Sequence, residues 1–263
     1  MTKRLLKKFL SIGLASIVII SALCLDISAA EIYNWYCKRR KDHSQPALPS
    51  EFEFISAYNG HYIDVTNEKK IYLTFDAGYE NGNVAKILDI LKETNTPAAF
   101  FVLSNLICTN TELVKRMADD GHLVCNHTSK HKDMSKITDK ESFEKELTTL
   151  ENIYKEKTGR EMAKYFRPPE GKFTEKTLEF ANAMGYKTIF WSFAYADWDN
   201  NHQMSESAAK TKILDNIHNG AVILLHPTSE TNATILGDVI KELKDEGYTF
   251  GTLDELVQNN TRR

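Results

Sequence analysis

Five polar side chains follow apolar, strand-like runs of this chain, and their types fit a hydrolytic site. Asp76 follows IYLTF, His127 and His131 follow HLVCN, Arg167 follows KYF, and His226 follows AVILL. Carboxylates and imidazoles are the groups that activate water and protonate a leaving group near neutral pH. Because the chemistry of α/β barrels sits at the carboxyl ends of strands, we expect a hydrolytic metal site at that end of a barrel.

The spacing of the two histidines predicts a metal site. On one helical turn, residues 127 and 131 would place both imidazoles on one face, within reach of one ion. Surface histidines are the alternative interpretation of H-x-x-x-H. Residue 128 is threonine and not glutamate, so the zinc-protease motif with its internal base is absent. Asp76 is therefore the candidate base, although a turn aspartate bound to nearby backbone amides is an alternative.

The remaining polar groups each allow a catalytic and a structural interpretation. Arg167 precedes two prolines that stiffen the following loop, and its guanidinium could keep a neighbouring carboxylate ionised or form a structural ion pair. His226 could donate a proton to a leaving amine or be a buried histidine with satisfied hydrogen bonds. Asp197 could orient an imidazole or a guanidinium. Trp198 could line a sugar groove, or it could be a core tryptophan.

The elements that must carry these groups alternate between strands and helices, which predicts a parallel α/β sheet. Glycines 121, 185, 220 and 247 each follow a predicted helix and cap it before the next strand. No glycine-rich phosphate loop follows the first strand, which favours a closed barrel over an open nucleotide-binding sheet. The predicted strands are 71–75, 98–103, 122–126, 164–167, 187–193, 221–225 and 248–252, and the predicted helices are 82–94, 110–120, 139–157, 174–184, 206–218 and 232–246.

The first thirty residues differ from the rest of the 263-residue chain. Basic residues precede a charge-free run at 9–25, and Ser28-Ala29-Ala30 follows. The pattern predicts a secretory signal peptide, with an uncleaved membrane anchor as the alternative. Without residues 1–30 the net charge changes from −3 to −6. Such an acidic domain lacks the basic surface expected of a nucleic-acid-binding protein.

Two further features of residues 31–263 are a set of cysteines and a basic run. Cys37, Cys108 and Cys125 form an odd set, which argues against a disulfide framework. Cys108 and Cys125 flank one predicted helix and could pair, or a buried thiol could serve as a small hydrophobe. The run KRRKD at 38–42 is interpreted as a solvated linker.

Together these residues resemble the polysaccharide deacetylases of the NodB-homology type, carbohydrate esterase family 4. The five family motifs occur in order as TFDAG, HTSKH, RPPEG, DW and LLH. The resemblance covers about residues 68–255 and is closest to the spore-cortex peptidoglycan deacetylases, through GYENG, HTSKHKDM, RPPEGKF, FWSFAYADW and LLHPTSETN. It leaves residues 31–67 as a lead-in and 256–263 as a C-terminal tail, and it implies a distorted (β/α) barrel of about seven parallel strands.

The resemblance implies roles for individual residues and a divalent metal, with zinc expected. Ala77 stands where the family has an aspartate that binds the metal, so the third ligand is open, with Asp76, Glu80, Asn81 or water as candidates. By this resemblance Asp76 is the catalytic base, Arg167 poises it, and His127 and His131 bind the metal. His226 is the general acid, and Asp197 is its partner. Leu224 lines the acetyl pocket, and the backbone N–H of Glu170 donates to the oxyanion.

The function implied is an extracytoplasmic hydrolase that deacetylates N-acetylmuramic acid in peptidoglycan, after an amidase has removed the stem peptide, and leads to muramic δ-lactam in spore cortex. In a sporulating cell its location would be the space between forespore and mother-cell membranes. Alternatives are a deacetylase of N-acetylglucosamine in peptidoglycan or chitin-like oligomers, and an inactive wall-binding protein. Lys172, with Lys130 and Lys132, is a candidate to bind the free lactyl carboxylate of muramic acid.

Overall fold

The computed structural model describes residues 31–262, and the described residues from Ile32 onward form one compact unit. The predicted signal peptide or membrane anchor at 1–30 lies outside the described residues. Within the described range, no helix combines the length and the apolar character needed to cross a membrane. The strands are β1 Tyr33–Asn34, β2 Gly60–His61, β3 Lys70–Ala77, β4 Ala99–Val102, β5 Leu123–Asn126, β6 Ala163–Phe166, β7 Lys172–Phe173, β8 Lys187–Ile189, β9 Ala221–Leu225 and β10 Thr249–Phe250.

Helices connect the strands and surround them. The α-helices are α1 Asn83–Glu93, α2 Ser104–Thr109, α3 Thr111–Asp119, α4 Lys140–Thr158, α5 Glu175–Ala183, α6 Glu206–Leu214, α7 Glu230–Asp245 and α8 Leu253–Thr261, and 3₁₀ helices cover Ser50–Tyr58, Met134–Lys136 and Pro169–Gly171. All six predicted helices and all seven predicted strands have counterparts here. The short elements β1, β2, β7 and α2 were not predicted, because a few residues carry too little periodicity to be recognised. Helix α8, with nine residues, was not predicted, because the family resemblance leaves residues 256–263 as a C-terminal tail.

The main sheet is parallel and curls into the predicted distorted barrel. Its strands run in the order β10, β3, β4, β5, β6, β8, β2, and β9 pairs with β3 as well. Every pairing between these strands is parallel, with Thr74 of β3 opposite Leu224 of β9. Beyond β8, Phe193 forms a parallel bridge with Ile223 of β9. The bridge joins the chain leaving β8 to β9, so the predicted (β/α) barrel is confirmed.

Strand β3 shows how the sequence divides the two faces of the sheet. Ile71, Leu73, Phe75 and Ala77 belong to the large hydrophobic cluster shared with the helices. Helix α1 contributes an apolar stripe at residues 84, 87, 88 and 91 to the same cluster. Because side chains alternate along a strand, residues 72, 74 and 76 take the other face. The strand therefore directs Asp76, but not Ala77, toward the barrel interior.

The predicted lead-in and tail both pack onto the barrel. Strand β1 pairs with β7, and Trp35 is only 6% exposed in an aromatic cluster with Phe52 and Phe190. Helix α8 crosses the predicted domain end at residue 255, and its Leu256 is fully buried. Both segments are therefore structural parts of the compact unit.

The cysteines of the described part are all free thiols. Cys108 is exposed on α2, Cys125 is buried in β5, and Cys37 is half-buried. Cys125 packs in the apolar cluster inside the barrel. The structure therefore supports the interpretation of Cys125 as a small hydrophobe and shows no pairing with Cys108.

Candidate active site

The predicted catalytic and metal-binding residues meet in and beneath one pocket of about 910 Å³ at the carboxyl ends of the strands. Parallel strands bring their carboxyl ends to one edge, so residues far apart in sequence become neighbours. The pocket is lined by Arg39, Asp76, Gly78, Tyr79, Leu103, His127, His131, Glu170, Gly171, Trp191, Ala194, Tyr195, Ala196, Trp198, Leu224, His226 and Thr228.

A buried ion pair forms the floor of the site. Arg167, fully buried, donates from Nη1 to Asp76 Oδ1 at 2.9 Å and from Nη2 to Thr74 Oγ1 at 2.9 Å. Its Nε donates to the Ile189 carbonyl oxygen at 3.0 Å, and the guanidinium lies 4.2 Å from the centre of the Phe101 ring. The guanidinium is thus fixed on several sides, and the position of Asp76 is fixed with it.

The same surroundings hold Asp76 in its basic form. Burial alone would raise the pKa of the Asp76 carboxyl, but the charges of Arg167 and His226 and the hydrogen bond from Arg167 outweigh it. The pKa of Asp76 consequently lies below its ordinary value. Its side chain remains 10% exposed toward the pocket, so an ionised carboxylate can accept a proton there.

The two histidines meet through a loop, and the helical turn considered for them is absent. Residues 127–131 follow β5 without forming a helix, and Thr128 and His131 have left-handed φ angles of 70° and 55°. These two turns of the backbone bring the imidazole rings to a centroid distance of 5.0 Å. The predicted proximity of the rings is therefore present, but its cause is backbone conformation and not helical spacing.

His127 is set up as an electron-pair donor. Its Nδ1 donates to the Arg167 carbonyl oxygen at 2.8 Å, which leaves Nε2 with a free lone pair. Burial is the main cause that lowers the pKa of His127 to about 4, so the ring is neutral near pH 7. Nε2 lies 3.5 Å from Asp76 Oδ2. The tautomer with its proton on Nδ1 and a free lone pair on Nε2 is the one a metal ligand needs.

The residues fit a weak metal site. His127 and His131 offer two imidazoles, and the Asp76 carboxylate lies beside the first of them. No group of three or more His, Cys, Asp or Glu side chains in residues 31–262 is already arranged around an ion position. Ala77 belongs to the core cluster and does not line the pocket. Two histidines would thus hold a divalent ion with help from Asp76 or water.

A second network supports His226. Its Nδ1 donates to Asp197 Oδ1 at 2.7 Å, and its backbone N–H donates to Asp197 Oδ2 at 2.8 Å. Asn232 of α7 donates to the same Oδ2 at 2.6 Å and in turn accepts a hydrogen bond from the Tyr195 hydroxyl. Asp197 is buried, with 1% exposure. These contacts orient the imidazole so that Nε2 is the ring nitrogen left for the pocket.

This network favours the protonated imidazole. Burial alone would lower the pKa of His226, but the hydrogen bond from its Nδ1 to Asp197 and the charges of Asp197 and Asp76 raise it above the ordinary value. The surroundings therefore favour a proton on Nε2. The pocket consequently combines a carboxylate held in its ionised form and an imidazole whose protonated form is favoured, which is the pairing required for general base and general acid catalysis.

The residues predicted to contact substrate divide into two groups. Leu224 is buried at the base of the pocket, and Trp198 is 64% exposed and lines it, which excludes a core tryptophan. Glu170 lines the pocket with a left-handed φ of 58°. Lys172, by contrast, does not line the pocket. Its Nζ forms an ion pair with the Glu170 carboxylate at an N–O distance of 2.6 Å. The predicted substrate contact of Lys172 is not supported by this geometry.

Three residues of the site were not identified from the sequence. Thr74 orients Arg167, Asn232 orients Asp197, and Arg39 lines the pocket from the N-terminal segment. Asn232 lies in the quoted segment LLHPTSETN, so a signal for it was present, but its partner stands 35 residues away. Arg39 contacts Ala194, 155 residues away, and nothing local in a basic run reveals such a partner.

Comparison with known proteins identifies the family. Residues 64–189 match the family model described as polysaccharide deacetylase. The chain is 40% identical over 229 residues to the peptidoglycan-N-acetylmuramic acid deacetylase PdaA of Bacillus subtilis, covering 86% of each chain. It is 31% identical over 216 residues to a peptidoglycan-N-acetylglucosamine deacetylase of Bacillus cereus, covering 81% of this chain and 77% of the relative.

A solved structure agrees with the sequence matches. The structure of Bacillus subtilis PdaA, described as a family 4 carbohydrate esterase, superimposes with a TM-score of 0.83 at 38% identity, covering 88% of this chain and 98% of that one. The chain therefore belongs to the polysaccharide deacetylases of carbohydrate esterase family 4, as its motifs indicated.

Proposed function

We propose that this protein hydrolyses the N-acetyl group of N-acetylmuramic acid in peptidoglycan. The observation that supports this most directly is the pocket that holds an Arg167-bound Asp76 carboxylate together with an Asp197-bound His226 imidazole. The match to PdaA, a deacetylase of N-acetylmuramic acid, over 86% of both chains supports the choice of sugar.

In the proposed reaction, Asp76 takes a proton from the water that attacks the acetyl carbon. The Arg167 guanidinium keeps Asp76 ionised before this transfer. Nε2 of His226 then gives its proton to the leaving amine, while Asp197 stabilises the imidazolium through Nδ1. Leu224 encloses the acetyl methyl group, and the backbone N–H of Glu170 is the proposed donor to the oxyanion.

His127 and His131 are the residues proposed to hold the divalent ion, with zinc as the candidate. When bound, such an ion supplies Lewis-acid polarisation of the acetyl carbonyl and of water. The neutral His127 ring, with Nδ1 bound to the Arg167 carbonyl oxygen, keeps Nε2 directed to this role. Asp76 is the proposed third protein group near the ion.

A deacetylase of N-acetylglucosamine is the second candidate, because the Bacillus cereus relative acts on that sugar and shares 31% identity. The higher identity to PdaA, 40%, favours muramic acid. An inactive wall-binding protein is the least favoured, since binding alone requires neither the Arg167–Asp76 pair nor the Asp197–His226 pair.

The proposed setting is the cell wall. A substrate in peptidoglycan requires the enzyme outside the cytoplasmic membrane, and residues 1–30 are the proposed signal peptide or anchor. We further propose action in spore cortex after a muramoyl-alanine amidase, with the muramic δ-lactam as the eventual product. The quoted resemblance to the spore-cortex branch supports this, and no nucleic-acid partner is proposed for an acidic domain.

Mass spectrometry of defined peptidoglycan fragments tests the function. The protein is incubated with peptide-free glycan fragments, and the products are sequenced to find which sugar has lost one acetyl group. We expect the loss on muramic acid. Loss confined to glucosamine would establish the second candidate, and no loss on either sugar, in protein loaded with divalent metal, would favour the wall-binding alternative.

A further inference from the structure

The basic run that the sequence suggested to be a solvated linker reaches the active-site pocket. Trp35 fixes the preceding segment, because its backbone N–H donates to the Gly171 carbonyl oxygen at 2.9 Å and its Nε1 donates to the Trp191 carbonyl oxygen at 2.8 Å. Its ring stacks on Phe190 at a centroid distance of 4.3 Å. The chain leaving this anchor carries Arg39 into the pocket wall.

The guanidinium of Arg39 is held at two points. Its Nη2 donates to the Ala194 carbonyl oxygen, and its central carbon lies 5.3 Å from the centre of the Phe193 ring. Both partners follow β8, and Ala194 itself lines the pocket. An arginine has five N–H donors, and these contacts use one of them. The others remain for a ligand.

Arg39 is also the single lysine or arginine among the pocket-lining residues of the described chain. Arg167 is fully buried below the pocket and is committed to Asp76, Thr74 and two backbone carbonyl groups. Neither Lys130, Lys132 nor Lys172 lines the pocket. Lys132 is paired with Glu146, and Lys172 is paired with Glu170.

The proposed substrate presents an anion at a short distance from the reacting group. Muramic acid carries its lactyl ether on the carbon next to the one that bears the acetamido group. When the acetamido group lies between Asp76 and His226, the lactyl group must therefore lie in the same pocket. Without a stem peptide the lactyl group ends in a carboxylate, which matches the planar fork of a guanidinium.

We propose that Arg39 binds the lactyl carboxylate of peptide-free muramic acid and thereby determines the choice of this sugar over N-acetylglucosamine. The inference rests on the proposed function. It assigns specificity to a residue of the N-terminal segment that stands outside the part matched by the family model, residues 64–189.

The test compares Arg39→Gln and Arg39→Lys with the wild-type protein on three substrates. These are a peptide-free muramic glycan fragment, the same fragment with its lactyl carboxylate converted to the methyl ester, and an N-acetylglucosamine oligomer. For Arg39→Gln we expect kcat/KM on the free carboxylate to fall about 10-fold to 100-fold, since a charge-assisted hydrogen bond is lost. The kcat/KM of Arg39→Gln on the ester and on the glucosamine oligomer should differ from wild type by less than about threefold. Arg39→Lys should recover part of the kcat/KM lost on the free carboxylate.

Arg40→Gln is the matched control, because it removes a neighbouring exposed charge that does not line the pocket. Equal losses of kcat/KM in Arg39→Gln and Arg40→Gln would assign the effect to the general charge of the run and overturn the proposal. Equal losses of kcat/KM for Arg39→Gln on the free acid and on the ester would overturn it as well. Wild-type kcat/KM for Arg39→Gln on the free acid would also overturn it while leaving the function intact. Absence of acetate release by the wild-type protein from muramic substrate would refute the function itself.

Discussion

At the scale of single residues, Asp76 and His226 take opposite protonation states because their neighbours differ. Asp76 lies against the Arg167 guanidinium, and His226 lies against the Asp197 carboxylate. Each pair is an opposite-charge contact that favours the charged form of the catalytic group. The result is one pocket in which one group is favoured as a base and the other as an acid.

Replacement of either group should abolish most turnover. We expect Asp76→Asn and His226→Ala each to lower kcat at least about 100-fold, the low end for a positioned acid or base. Acetate release measures the rate, and circular dichroism confirms the fold. Asp215→Asn, an exposed carboxylate outside the pocket, should behave as wild type. A folded Asp76→Asn variant with near wild-type kcat would contradict the role of base.

The pH dependence should report the Asp197–His226 pair. His226 acts in its protonated form, and Asp197 raises its pKa, so kcat/KM should fall as the pH rises through that raised value. Asp197→Asn removes the charge and lowers the pKa of His226. We therefore expect the alkaline limb of the kcat/KM profile to move to lower pH, with a lower maximum. An unchanged alkaline limb would show that another group controls it.

The sequence identified the groups that end strands and the partner Asp197, but it missed Thr74, Asn232 and Arg39. Asp76, Arg167 and His226 each terminate an apolar run, and this local signal can be read without a structure. Asn232 and Arg39 act through partners distant in sequence, Asp197 and Ala194. Their roles depend on which loops the barrel brings together, and no local pattern records that.

At the scale of elements, the alternation of β3 explains why the Asp-to-Ala departure is tolerated. Ala77 is fully buried in the cluster shared with the helices, next to Val102 on β4. A small apolar residue fits this position, whereas an uncompensated carboxylate there would be costly. The strand thus gains packing at the position where the resemblance led us to expect a metal ligand.

Ala77→Asp should destabilise the fold without creating a metal ligand. Residue 77 faces the core cluster and does not line the pocket. We therefore expect a lower Tm than wild type, because the variant buries a charge, and no more recovery with zinc than in the uncharged control Ala77→Asn. Thermal unfolding with and without zinc measures this. A zinc-dependent rise in Tm confined to Ala77→Asp, as expected when a ligand binds the native state, would show that residue 77 reaches the ion.

The N-terminal segment should contribute to stability out of proportion to its length. Trp35 packs between Phe52 and Phe190, at centroid distances of 5.0 and 4.3 Å. We expect Trp35→Ala to lower the free energy of unfolding by about 3–5 kcal/mol, as for other buried large side chains. Urea unfolding provides the measurement. Ile32→Ala, at a position 49% exposed, should change it by less than about 0.5 kcal/mol.

Equal effects of Trp35→Ala and Ile32→Ala would mean that the segment does not belong to the cooperative fold. The sequence placed this segment outside the catalytic domain, because the family resemblance covers only about residues 68–255. Its two-residue strand gives no periodic signal that would have revealed the packing. The long strands and helices of the barrel were predicted correctly since each contains several residues of one periodicity. Tertiary packing alone shows that the lead-in completes the site.

At the scale of the whole molecule, an acidic protein is proposed to act on a substrate that is itself anionic once its peptide is removed. The net charge outside residues 1–30 is −6, so any electrostatic attraction of an anionic substrate must come from a local cation. Arg39 is the cation that lines the pocket. With the stem peptide attached, the lactyl group is a neutral amide and carries a long chain. The pocket rim, with exposed Tyr79 and Trp198, then faces a bulkier group that has no carboxylate at the lactyl position.

The order of wall-processing steps should therefore matter. We expect little acetate release from purified peptidoglycan that keeps its stem peptides, and at least about 10-fold more after digestion with a muramoyl-alanine amidase, since a charge-assisted contact becomes available. The acetate released per mole of glycan is measured with and without amidase, and amidase alone is the blank. Arg39→Gln should respond less to the amidase than Arg40→Gln does. Equal release from both substrates would show that the enzyme does not require the free carboxylate and acts before, or independently of, peptide removal.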